Sequence, residues 1–194
     1  MTETKAELRD RMRNERKRLK AALPGAGEAA AGHAAALIRT MTFQPRSAAL
    51  YLPRGGELDS LPLARELARR GLRLALPRAD ISGAPLAFHA WKPGDPVEAD
   101  AEGCAAPLHS TETLDPDIVI VPLVAFDRCG RRLGQGGGYY DRTIEALGRR
   151  SPRPLFVGLA FAGQEAAAIP HEAHDQKLDG VLTERGYMPA RKDV

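Results

Sequence analysis

The sequence predicts an α/β protein: an open, mostly parallel sheet flanked by helices, with two N-terminal helices packed alongside. Three observations predict it. Ser47 to Leu52, a helical stretch from Ser60 to Arg70, and Leu72 to Leu76 follow one another within about thirty residues, the order of a right-handed βαβ crossover. Asp117 to Pro122 is a short β-branched apolar run bounded by prolines, which reads as a buried strand. Tyr139 to Leu147 then has helical composition, with Ile144 and Leu147 on one face, and Pro154 to Leu159 gives a last central strand. A chain of 194 residues, 43% hydrophobic and 27% charged, is long enough to bury one core without disulfides or metal, so residues 1–194 are read as a single domain.

The first helix covers residues 4 to 23, started by a capping box, Thr4 to Glu7, and stopped by Pro24 and Gly25. Leu8, Met12, Leu19 and Leu23 form its apolar stripe, and arginines and lysines cover much of the remainder. That basic face raises an RNA-binding reading, but no aromatic residue interleaves it and Glu7 and Glu15 interrupt it, as on a solvated helix side. Lys5 and Arg9 stand four apart, so they share a face and can clamp one polyanion. An alanine-rich second helix spans Ala26 to Met41, with His33 as a packing or surface residue.

Pro53 ends the first strand, and Arg54, Gly55 and Gly56 make a turn. Glu57 follows, just past a strand's C-terminal end, where open α/β sheets bind ligands. Ser60 is read as the N-cap of the next helix and Asp59 as a helix-start charge. Leu86 to Trp91 is a further strand, residues 92 to 116 an irregular loop, and Val181 to Thr183 a short edge strand. His89 and His109 lack metal-ligand spacing and are read as structural; His171 and His174 are read as part of an exposed polar turn.

The most informative stretch is Arg131 to Arg142, RRLGQGGGYYDR. Gly134, Gly136, Gly137 and Gly138 permit positive φ and a close approach of ligand to backbone, so successive amides can converge on a phosphate ahead of a helix N-terminus. It is not a Walker A motif, because no Gly-Lys-Ser/Thr follows, and the strand ends too early for a dinucleotide fingerprint. A flexible hairpin tip would account for the glycines, though not for the flanking Arg132, Tyr139, Tyr140 and Asp141.

Val121 to Asp127, Gly130, Arg132 to Gly134 and Gly136 to Arg142 closely resemble the signature of the 5-formyltetrahydrofolate cyclo-ligase family. The family's other patterns stand in the same order: Lys5 to Arg9, Glu57 to Ser60, and Asp175 to Asp179. The resemblance implies the sheet layout shared with sugar-phosphate isomerases and CoA transferases, and ATP-dependent conversion of 5-formyltetrahydrofolate to 5,10-methenyltetrahydrofolate. It implies ATP contacts from Lys5, Arg9, Arg132, Leu133, Gly134, Gln135, Gly136, Gly137, Gly138, Tyr139 and Tyr140. Arg9, Leu52, Glu57 and Tyr139 would meet the folate, and Arg132, Tyr139 and Tyr140 would act on the reacting groups. Asp141 and Asp175 would be linked to Mg2+, which prefers oxygen ligands and arrives with nucleotide phosphates. Many eukaryotic members carry lysine where this chain has Gly137, so Arg131 or Arg142 is expected to meet that phosphate charge.

The formal charge of +3 does not call for a nucleic-acid partner. Cys104 and Cys129 have neither disulfide nor metal spacing, and no apolar run approaches about 18 residues, so a cytoplasmic protein without membrane partner is expected; a monomer is expected as well, though no residue pattern fixes the oligomeric state. A small-molecule kinase on the same scaffold is the rival enzyme.

Overall fold

A computed structural model describes residues 3–191. Its centre is a seven-stranded sheet in the order β11-β10-β9-β6-β1-β2-β3. The parallel strands are β1 (Ser47–Ala49), β2 (Arg73–Arg78), β6 (Ile118–Pro122), β9 (Leu155–Leu159) and β10 (Gly180–Thr183). Two antiparallel strands, β3 (Ala87–Ala90) and β11 (Gly186–Pro189), close the edges.

Alternation along β6 shows why the sheet is covered on both sides. Ile118 and Ile120 join a cluster with Leu37, Leu63 and Leu67, while Val119 and Val121 join another with Phe156 and Ile144. The first cluster belongs to α2 (Ala26–Gly32), α3 (Ala34–Ile38) and α4 (Leu61–Arg69); the second belongs to α5 (Tyr139–Leu147). Leu37, Leu63 and Leu67 are fully buried, so truncating any of them to alanine costs about 2–5 kcal/mol.

The first helix, α1 (Lys5–Ala22), lies at the end of the sheet rather than on a face. Leu8 and Met12 pack on Val124, Ala125, Leu133 and Ile169, and Leu19 reaches the larger core. Its capping box forms as expected: Glu7 N–H donates to the Thr4 hydroxyl, and Glu7 Oε2 accepts from Thr4 N–H at 2.8 Å.

Several expectations need correction. The second helix is two helices, broken at Gly32 and His33, so α3 turns to pack beside β11. Ser60 does not cap α4: its hydroxyl donates to Tyr51 O, and Asp59 Oδ1 accepts the Leu61 N–H at 2.9 Å instead. Residues 92 to 116 are not wholly irregular, since β4 (Val97–Ala99) and β5 (Ala105–Pro107) pair as a hairpin. Residues 181 to 183 lie inside the sheet, because β11 covers them. Finally, β7 (Ala125–Phe126) and β8 (Arg132–Leu133) form a small hairpin between β6 and the glycines.

Candidate active site

The sheet order reverses between β1 and β6: the chain runs from β1 outward through β2 one way and from β6 through β9 and β10 the other. Such a switch point leaves a crevice beyond the carboxyl ends of the strands. A cavity of about 1040 Å³ occupies that place, floored by Tyr51 and Leu52 after β1, Pro77 and Ala79 of β2 and its extension, and Pro122 and Leu123 at the end of β6. Lys5, Arg9, Leu52, Glu57, Arg132 to Asp141 and Asp175 all line it, so one space gathers the residues singled out above for ATP, folate or metal, except Arg131 and Arg142.

The glycine loop is delivered by the β7–β8 hairpin. Asp127 Oδ1 accepts from Cys129 N–H and Arg131 N–H at 2.8 and 3.0 Å, and Gly130 turns the chain at φ +80°. Beyond β8, Gly136 and Gly138 adopt φ +109° and +67°, a region open to glycine at little cost. Among the described residues, no N–H of Gly134, Gly136, Gly137 or Gly138 has an intramolecular acceptor, and Gly138 starts α5 without a side-chain cap. These glycines and the first residues of α5 line the cavity, an arrangement suited to phosphate oxygens.

Helix α1 closes the opposite wall and holds the loop. Arg9 Nε donates to Gly134 O at 3.0 Å, and Arg13 donates to Gln135 Oε1 through Nε and Nη2 at 3.2 and 2.8 Å. Lys5 Nζ lies 2.8 Å from both Glu172 Oε1 and Asp175 Oδ2. Partial burial of Lys5 works against its charge, but the two carboxylates outweigh it and raise its pKa. Arg142 and Arg131 do not line the cavity. Arg142 instead donates to Gly137 O at 3.0 Å and lies 4.9 Å over the Tyr139 ring. Arg142 is thus the cation beside Gly137, while Arg13 and Lys17 of α1 line the cavity itself.

Tyr139 lines the cavity, its hydroxyl accepting from Gly83 N–H at 3.2 Å. Tyr140 lies deeper: burial, then the neighbouring Glu57 carboxylate, pushes its phenol far above the ordinary range, so it stays a neutral donor. Glu57 is 8% exposed and accepts from Arg54 N–H through Oε2 at 2.8 Å. Burial raises its pKa, opposed by that hydrogen bond and by Arg16, whose Nη1 stands 3.8 Å from Oε1. Arg54 also reaches Cys104 Sγ at 2.7 Å, tying the β4–β5 hairpin to the same wall.

Arg132 is buried. Its Nη1 donates to Gln176 O, and its Nη2 lies 2.8 Å from Asp141 Oδ1, which also accepts from Gln176 N–H at 3.0 Å. Desolvation lowers the Arg132 pKa and Asp141 supports its charge. Asp175 Oδ2 accepts from Lys5 and from Glu172 N–H at 2.8 Å each. The two carboxylates expected at a metal are thus each partly engaged, and among the described residues no three His, Cys, Asp or Glu side chains are grouped to hold an ion. Two carboxylates with one oxygen each free of hydrogen bonds fit a magnesium ion that brings phosphate and water as its other ligands, and do not fit an ion caged by protein alone.

The residue that sequence reading passed over is Arg16. It occupies the apolar stripe of α1, four positions after Met12, yet it is an arginine and is 6% exposed. That mismatch between stripe and residue type was the available signal. His171 and His174 are both exposed, and His174 flanks Glu172 and Asp175 at 3.8 and 3.7 Å.

Comparison with known proteins agrees with this geometry. The family model of the 5-formyltetrahydrofolate cyclo-ligases matches residues 1–184. A 5-formyltetrahydrofolate cyclo-ligase of Escherichia coli K12 is 35% identical over 157 residues, covering 76% of this chain and 85% of that protein. One from Mycolicibacterium smegmatis is 33% identical over 154 residues, covering 75% and 78%. The solved structure of Aquifex aeolicus 5,10-methenyltetrahydrofolate synthetase superposes with a TM-score of 0.78 at 28% identity, covering 98% of this chain and 94% of that one. With its signature residues gathered in one cavity and these relatives matched along most of its length, this chain belongs to the 5-formyltetrahydrofolate cyclo-ligase family.

Proposed function

We infer that the protein is an ATP-dependent ligase that cyclises 5-formyltetrahydrofolate to 5,10-methenyltetrahydrofolate and releases ADP and phosphate. The observation that carries this reading is one cavity lined both by the glycine loop with the uncapped α5 N-terminus and by Leu52, Glu57 and Tyr140. One end suits phosphates, and the other presents an apolar wall, a carboxylate and a phenol for a formylated pterin.

A formamide oxygen is a poor leaving group, so it must be activated. The formyl oxygen attacks the γ-phosphorus and ADP departs; the folate N10 lone pair then attacks the formyl carbon, N10 loses its proton, and phosphate leaves with the C–O electrons. Catalysis of the first step is mostly positioning and charge neutralisation. Here the glycine amides and the α5 N-terminus receive phosphate oxygens, with Lys5, Arg9, Arg13 and Lys17 along the facing wall. Arg132 positions α5 through Asp141 and Tyr140 donates toward developing charge. Magnesium, when bound with the nucleotide, would neutralise phosphate charge beside Asp141 and Asp175. Glu57 accepts pterin N–H groups.

The basic face of α1 is largely spent within the molecule: Arg9 and Arg13 hold the loop, Arg11 pairs with Glu3 and Arg18 with Glu15. That supports an enzyme without nucleic-acid partner, and the same reading takes it as a cytoplasmic monomer; light scattering at assay concentration checks the last point. Among the described residues no helix is long and apolar enough to cross a membrane.

The test is one reaction containing 5-formyltetrahydrofolate, ATP and Mg2+. Methenyltetrahydrofolate absorbance should rise together with one equivalent of free phosphate, and only with ATP present. A stable phosphorylated product without methenyl absorbance would identify a kinase on the same scaffold instead.

A further inference from the structure

We propose that Arg16 is a positioning residue for the folate end of the site, keeping the Glu57 carboxylate ionised and fixed to receive the substrate. The proposal rests on the functional reading above, in which Glu57 meets the pterin.

The geometry is specific to Arg16 among the arginines of α1. Its side chain is 7% exposed and that of Glu57 10%, so both charges are out of bulk water. Nη1 donates to Leu123 O at 3.0 Å, a carbonyl held from another side by Gln164 Nε2 at 3.1 Å. The guanidinium is thereby anchored to the end of β6. Glu57 Oε2 is taken by Arg54 N–H, which leaves Oε1 turned to Arg16 at 3.8 Å. That separation is too long for a hydrogen bond, so the pair is coupled by charge while Oε1 keeps its acceptor capacity. Arg16 Nε is buried without a partner, beside Gly56. Arg16 therefore has one carbonyl and one nearby carboxylate to offset its burial, and burial weakens its own hold on its proton accordingly.

The other cations around Glu57 count for less than Arg16. Arg54 contributes its backbone N–H and turns its guanidinium to Cys104, and Lys20 is bound to Gly55 O at 2.7 Å on the exposed side. Tyr51, Tyr140 and Cys104 are neutral groups that become anions when they lose a proton, so they cannot help keep Glu57 charged. With Arg16 removed, Glu57 loses the largest charge opposing its desolvation and keeps the Arg54 N–H hydrogen bond with the weaker effects of Arg54 and Lys20, so its pKa moves further up. A buried carboxylate without its cation takes up a proton at higher pH and then presents a donor where the substrate needs an acceptor.

The experiment compares wild type with Arg16→Met and Arg16→Lys, measuring kcat/KM for 5-formyltetrahydrofolate at saturating ATP, and KM for ATP, between about pH 6 and about pH 8.5. Arg16→Met should lose at least about tenfold in folate kcat/KM at pH near 6 and recover most of it near 8, with KM for ATP within about twofold. Arg16→Lys, which keeps a charge, should stay within about threefold of wild type throughout. A loss in Arg16→Met that is independent of pH, or that falls equally on both substrates, would make Arg16 a packing residue and overturn the proposal. Should Arg16→Met not fold, the carboxyl carbon resonance of Glu57 in wild-type protein, assigned with Glu57→Gln, decides: ionised near neutrality supports the proposal, protonated there overturns it. Wild type that forms no methenyltetrahydrofolate would sink the functional reading, whereas active wild type with an unshifted Arg16→Met profile sinks only this one.

Discussion

Valine in place of Gly136 would place a β-branched side chain at φ +109°, although nothing stands within 4 Å of the added Cβ. The cost is backbone strain alone, on the order of 1–3 kcal/mol, and the loop escapes it by moving its amides away from the phosphate position. Gly138→Val adds a contact with Arg142 Nη1 to strain at φ +67°. Both variants should fold and lose at least about tenfold in ATP affinity by calorimetry. Wild-type affinity would make the loop a plain turn. Glu57→Gln should bind ATP normally and lose about tenfold or more in kcat/KM for the folate. At this scale the sequence was legible wherever residue type and spacing conflicted with a structural need, as with four glycines beside two tyrosines. Asp141 was harder to read, because its pairing with the buried Arg132 depends on the chain crossing near Gln176. Asp141→Asn takes from Arg132 the carboxylate it pairs with, and should lower stability by about 1–3 kcal/mol in denaturant unfolding.

Helix α1 and the segment 171–176 meet through one cation and two carboxylates. Asp175 is partly buried, which raises its pKa, but hydrogen bonds from Lys5 and Glu172 N–H and the charge of Lys5 bring it below its ordinary value. A carboxyl depressed in the folded state contributes stability above its unfolded pKa and loses it as pH falls through the folded one. Raising the ionic strength screens the exposed part of the same contact. Amide exchange in residues 171–176 should therefore quicken on acidification below the ordinary aspartate value while the β6 amides stay protected; equal quickening in both would mean global unfolding. Elements were readable where periodicity ran long, as in α1, α4 and α5. They were missed where glycine and proline interrupt a short pair, as in β11, which holds only Tyr187 and Met188 between Gly186 and Pro189. The break between α2 and α3 was hidden by alanine, which favours helix on both sides of Gly32.

At the scale of the whole molecule, ligand and fold are coupled because the cavity is walled by segments far apart in sequence. ATP at about a hundredfold its Kd should stabilise the protein by about 2.7 kcal/mol, and a thermal melt should rise by several degrees. A melt indifferent to ATP would show that the nucleotide does not bridge α1 to the glycine loop. The parallel sheet itself was legible from the βαβ order, and the place of the site followed from strand order more than from any single motif.

Lys5 reaches Asp175 across 170 positions, and Arg9 reaches Gly134 across 125. On a ribosome the helix bearing these side chains emerges long before the partners it will meet. For most of synthesis α1 is an amphipathic helix without a mate, its leucines and Met12 waiting for Val124, Leu133 and Ile169. The enzyme thus carries its own completion check: the site closes only once synthesis has passed Asp175, and a nascent chain arrested before that holds α1 without the acids it pairs with.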